Sequence, residues 1–183
     1  MKGVIFTEFV DYVTERYGLE TANGVIDSCG LASGGAYTAV GDYDAGELDQ
    51  MLIRLSELNV TPLSMLMRDF GHKLFFALAD QYPRYVVGAD AFDLLASINE
   101  HIHVEVRKLY PDAVLPEFTH RMLGPGQMLL VYKSKHGMAD LIEGLIQGCF
   151  DYFNEEAIIS RQDLSGGMGA HVRFTLRRIG RER

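Results

Sequence analysis

Apolar residues recur at helical spacing from the start of the chain. Val4, Ile5, Phe9, Val10, Tyr12 and Val13 share one side, and Gly18 supplies a C-terminal stop. A short helix is predicted over residues 21–29, followed by the loop SGGAYTAVGDYD, whose Asp44 is placed to cap the helix AGELDQMLIRLSELN. Thr61-Pro62 reads as an N-cap with proline at the first helical position. It opens the long apolar helix LSMLMRDFGHKLFFALADQY, interrupted at Gly71. Asp90 opens the next helix, AFDLLASINEHIHVEVRKLY, and Pro111 ends it.

The period then changes. Residues 117–122 and 127–134 alternate as two strands joined by Gly124-Pro125-Gly126. Helical spacing returns over 136–153 through Met138, Leu141, Ile142, Leu145, Ile146 and Phe150. EAIISRQD and AHVRFTLRRI read as a hairpin around the glycines at 166, 167 and 169. The expected fold class is α+β, a helical N-terminal subdomain followed by an antiparallel sheet with packed helices. Residues 1–183 are expected to form a single domain.

With 48% hydrophobic residues the chain can bury a full core. It has no run of about eighteen apolar residues, so no membrane span is expected. The N-terminal segment carries Glu8, Asp11 and Glu15 and reads as a folded amphipathic helix, not a signal peptide. Cys29 and Cys149 form no pattern, which points to a reduced, cytoplasmic setting. The net charge of −8 argues against nucleic acid, whose binding rests on neutralised phosphates. The basic C-terminal run RFTLRRIGRER reads as a solvated edge or a small docking patch.

Two constellations carry chemistry. His101 and His103 lie about 200° apart on a helix and cannot chelate one ion together. With His103 at zero, Phe92 and Tyr110 fall within about 20° of it, and Leu95, Ile102 and Leu109 continue the apolar face. His103 is therefore half-buried and His101 solvated. By spacing alone, His103 is either a satisfied core histidine or a ligand. Structural zinc wants four N or S ligands, which this region lacks, whereas haem needs one ligand and an apolar slot. On an extended strand Tyr132, Ser134 and His136 share one face, with Lys133 and Lys135 opposite. That face is either an ordinary polar strand face or a row of donors for paired carboxylates.

MKGVIF at the start, the Phe70-Gly71 turn, HVEVRKLYPDAVLP, Tyr132-x-Ser134 and Glu143-Gly144-Leu145 stand in order along the chain. In these residues the chain resembles the H-NOX family, the haem nitric-oxide/oxygen-binding domains of gas sensors. The resemblance implies haem b buried between helices and sheet, with His103 as the iron ligand. Pro116 would press on the porphyrin, and Tyr132 and Ser134 would hold the propionates. Ile5, Phe9, Leu74, Leu78, Leu141 and Leu145 would line the pocket. The family's Tyr-x-Ser-x-Arg arginine falls at His136, which is shorter and lacks a permanent charge, so the bidentate grip on carboxylate is lost. The cysteine cluster that binds zinc in several relatives has no counterpart here.

Oxygen-binding members place a tyrosine nine residues after the motif's first tyrosine, a position that is Leu141 in this chain. The resemblance thus implies a nitric-oxide sensor, with carbon monoxide as a further ligand, that excludes dioxygen and is not an enzyme. Its signal would come from release of His103 and relaxation of the haem, passed to a histidine kinase or a diguanylate cyclase. A haem-free interaction module of the same fold is the alternative. A small peroxidase-like enzyme is a third reading, and it lacks a distal acid–base pair.

Overall fold

The computed structural model describes residues 1–179. Two helices, α1 (Gly3–Tyr17) and α2 (Leu19–Cys29), are separated by Gly18, whose φ of 90° turns the chain sharply. After a loop come α3 (Ala45–Asn59) and α4 (Leu63–Gln81). The Asp44 carboxylate accepts the Gly46 N–H at 3.0 Å and caps α3. At α4 the expected cap is displaced: Pro62 is the N-cap residue, and the Thr61 hydroxyl donates back to the Asn59 carbonyl.

Gly71 does not interrupt α4, contrary to the reading from sequence. It lies fully inside that helix and lets another backbone approach. A Cβ there would sit 2.2 Å from the Leu141 carbonyl oxygen of α7 (Ala139–Tyr152). Gly144 does the same from the α7 side, with the Arg68 carbonyl 2.1 Å from an added Cβ. These small residues let α4 and α7 pack along their lengths. Arg68 of α4 and Arg161 both lie 2.8 Å from the Asp140 carboxylate of α7 and reinforce the crossing.

The predicted histidine helix is broken. It runs as α5 (Ala91–Ser97), a π turn (Ile98–Ile102) and α6 (His103–Leu109). The extra residue in that turn changes the register between the two halves, and Phe92 packs against Phe150 of α7. Leu95, Ile102 and Leu109 nonetheless line one cavity together with His103, as the spacing predicts, although Leu109 is 66% exposed.

The strands β1 (Glu117–Gly124), β2 (Gln127–Lys133), β3 (Glu156–Asp163) and β4 (His171–Ile179) form one antiparallel sheet in the order β1-β2-β4-β3. One face buries Met128, Leu130, Tyr132, Val172, Phe174 and Leu176 against α5 and α7. The other faces outward, as the alternation requires. A second core, built on Phe6, Phe9, Leu48, Leu52 and Phe70, holds the N-terminal helices together. The fold is thus α+β, with two cores joined by α4 and α7. No described helix is long and apolar enough to cross a membrane. Of the basic C-terminal run, residues 180–183 lie outside the described residues.

Candidate functional site

Between the two cores lies a cavity of about 390 Å³, within the range typical of small-molecule and cofactor sites. Its walls come from α1, α4, the histidine helix, the segment before β1, β2 and α7. Ile5, Leu74, Leu78, Leu141 and Leu145 supply the apolar wall, and His103, Pro116, Tyr132, Ser134 and His136 also reach the lining. Phe9 does not. It packs edge-on against Phe70 at 5.1 Å inside the N-terminal core, 1% exposed. Helical spacing put Ile5 and Phe9 on one face, but Ile5 meets the cavity while Phe9 points into the helices behind it.

His103 is the first residue of α6 and is 9% exposed, 5.8 Å from the Phe118 ring. Burial, and after it the nearby Arg107 guanidinium, push its imidazolium down to about 4. The ring is therefore neutral near pH 7 and keeps a lone pair for a metal. Its Nδ1 is buried with no hydrogen-bond partner. An orphaned imidazole nitrogen in an apolar cavity is costly unless a ligand engages the ring. His101 is exposed on the π turn, away from this position.

Tyr132, Ser134 and His136 do not share one strand face as expected. β2 ends at Lys133, the Ser134 N–H bonds the Ala170 carbonyl at 2.8 Å, and the chain turns at Lys135-His136. The turn continues through Gly137, where a Cβ would meet the Met168 carbonyl at 2.4 Å. All three still reach the cavity, Tyr132 from β2 and Ser134 and His136 from the segment that turns away after it. The Tyr132 oxygen accepts the Met138 N–H at 3.3 Å, and Ser134 Oγ accepts the His136 N–H at 3.2 Å. Each hydroxyl accepts a backbone N–H, and each can turn its proton toward an acidic ligand group. Burial raises the Tyr132 pKa, so the phenol stays protonated.

The rim holds groups that spacing did not reveal. Lys2 Nζ pairs with Asp42 at 2.5 Å and stands 3.9 Å over the Tyr110 ring. Its partners are 40 and 108 positions away in sequence, so no local pattern announces them. The donor set fits haem: one neutral imidazole, an apolar slot, and hydroxyls at one end for the propionates. Among the described residues no three His, Cys, Asp or Glu side chains gather as a metal cluster, and a single-ligand site needs none.

The family described as Haem-NO-binding matches residues 2–161. No curated protein matches the chain. Among solved structures, the unliganded Fe(II) H-NOX protein from K. algicida is 35% identical, with 100% of this chain and 99% of that chain covered and a TM-score of 0.92. The H-NOX from Shewanella woodyi, bound to IWP-051 in the Fe(II)CO state, is 41% identical over 100% and 97%, with a TM-score of 0.84. An S. oneidensis H-NOX protein in the Fe(II)NO state is 25% identical over 98% and 100%, with a TM-score of 0.91. With a family match over most of its length and relatives above 30% identity along the whole chain, this protein belongs to the H-NOX family of haem-binding gas sensors.

Proposed function

We propose that this protein is a nitric-oxide sensor that holds haem b through His103, excludes dioxygen, and reports to a partner signalling enzyme, a histidine kinase or a diguanylate cyclase. The observation that carries this reading is the neutral His103 imidazole, with its unpartnered Nδ1, on a cavity whose residue 141 is leucine.

When bound, haem supplies a ferrous iron able to take a diatomic gas. The rest falls to the chain. His103 donates its lone pair from the first turn of α6. Tyr132 and Ser134 each have a proton to offer the propionates, while His136 stands where the family's arginine would make a bidentate, permanently charged contact. Pro116 borders the same cavity and bears on a planar ligand placed there. Ile5, Leu74, Leu78, Leu141 and Leu145 exclude water and offer no hydrogen-bond donor. Dioxygen needs such a donor for its polarised outer atom, whereas nitric oxide binds without one. Relatives whose structures contain Fe(II)NO and Fe(II)CO support a gas ligand of this kind. Holding the iron, His103 would tie α6 to the cavity; letting go, it would free α6, and a shift between the two cores would carry the message to the partner.

The deciding experiment is the absorption spectrum of the reduced protein, before and after nitric oxide and then air. A haem spectrum that becomes five-coordinate with nitric oxide and is unaltered by air is the expected result. A stable shift in air overturns the argument from Leu141. A colourless protein, even after expression with haem precursor, moves the reading to a haem-free interaction module.

A further inference from the structure

The two halves of the histidine helix are held very differently. In α5, Asp90 and Asp93 form a reciprocal cap, with the Asp93 N–H 2.8 Å from the Asp90 carboxylate. Arg178, near the end of β4, lies 2.9 Å from the Asp90 carboxylate and 2.6 Å from that of Glu155, and it covers the Phe92 ring at 4.4 Å. Several of these buried atoms meet as ion pairs without hydrogen-bond alignment, so the contact is a charge clamp. The Ala91 N–H also reaches Glu155 at 3.3 Å, and Phe92 meets Phe150 of α7 edge-on at 5.7 Å. Four residues of α5 are buried.

In α6 the sole buried residue is His103. Val104 is exposed, Leu109 borders the cavity without being covered by another element, and Glu105 pairs with Lys108 on the same helix. At its far end Tyr110 lies under Lys2 from the N-terminal subdomain. Between the halves, no residue of the π turn is fully buried: Ile98 and Ile102 pack partly buried against the sheet core, and the Asn99 Oδ1 atom is enclosed without a hydrogen-bond partner. A π turn holds one residue more than an α turn, and a helix changes direction most readily there.

We propose that the π turn Ile98–Ile102 is the hinge of the histidine helix, with Arg178 as the positioning residue that holds α5 to the sheet while α6 swings with His103 and draws Tyr110 off Lys2. The proposal rests on His103 as the iron ligand. It goes further by dividing the helix into a fixed half and a moving half, and by naming the contact through which the motion reaches α1.

Hydrogen–deuterium exchange of the reduced, haem-loaded chain, with and without nitric oxide, tests it. Exchange at 98–109 is expected to rise severalfold with nitric oxide, while 91–97 stays unchanged. An equal rise in both segments means the helix moves as one body and overturns the hinge; no rise in either does the same. In Arg178→Met the nitric-oxide response is expected to spread into 91–97, and Arg178→Lys should restrict it again. If Arg178→Met raises exchange at 91–97 equally with and without nitric oxide, Arg178 is merely structural and its positioning role falls. Failure of the haem reading shows separately, as an absorption spectrum without haem or without a response to nitric oxide. In that event the haem-free chain still decides the hinge: 103–109 should exchange at least tenfold faster than 91–97, and equal protection overturns it.

Discussion

At position 141 the cavity wall carries a leucine in the place where oxygen-binding relatives have a hydroxyl. A tyrosine at this site on α7 would bring a proton donor into an otherwise apolar wall. Leu141→Tyr is therefore expected to show an air-induced spectral shift that the parent chain lacks, read in the reduced protein under oxygen. Position 136 carries the opposite lesson, a weakened polar contact. His136→Arg restores a charged, forked donor, and contacts of this kind contribute about 1.5–3 kcal/mol. The variant is expected to release haem to an acceptor globin on the order of tenfold more slowly, and an unchanged rate would remove residue 136 from the propionate contact. Both residues were visible in the sequence because a motif pins their positions. Phe9 was misplaced for the complementary reason: spacing orients a side chain about its own helix, not toward a chosen neighbour.

Elements in this fold are fixed by contacts between distant segments. Gly144 lets α7 lie against α4, and a methyl group there would press on the Arg68 carbonyl. Gly144→Ala is expected to cost about 1–3 kcal/mol by overpacking, measured as a lower urea midpoint with the slope unchanged. The loop before α3 is tied by Glu47, whose carboxylate accepts the Ser33 N–H, the Ser33 hydroxyl and the Tyr37 hydroxyl. Burial pushes the Glu47 pKa up, but these hydrogen bonds together outweigh it and hold the carboxyl below its ordinary 4.5. A carboxyl depressed in the folded state contributes stability above its unfolded pKa, and that stability is lost as pH falls through the folded value. Glu47→Gln should lower stability at pH 7 and flatten the acid limb of the stability–pH curve; parallel curves would show that Glu47 contributes nothing there. Apolar spacing and turn signals announced α1–α4, α7 and β1–β4, but not the 3₁₀ turn Pro83–Tyr85. The π turn escaped because its residues have ordinary helical spacing, and what selects it is the fit of α5 to the sheet and of His103 to the cavity.

Across the whole molecule, two cores share α4 and α7 and leave a cavity between them whose lining draws on both. A ligand that fills it binds only the folded chain and stabilises it by mass action, about 2.7 kcal/mol when free ligand exceeds the Kd a hundredfold. Extracting haem should therefore lower the thermal midpoint, and adding it back should restore the loss; a midpoint indifferent to haem would count against a site between the cores. The sequence by itself determined the α+β order, the caps at Asp44 and Asp90, the helical setting of His103 and the family motifs, because each depends on residues close together in the chain. The tertiary structure alone decided that Phe9 leaves the cavity wall, that Ser134 and His136 arrive by a turn, that Arg178 clamps α5, and that Lys2 covers Tyr110. Those outcomes join segments tens of residues apart, and short-range periodicity carries no information about which distant surfaces meet.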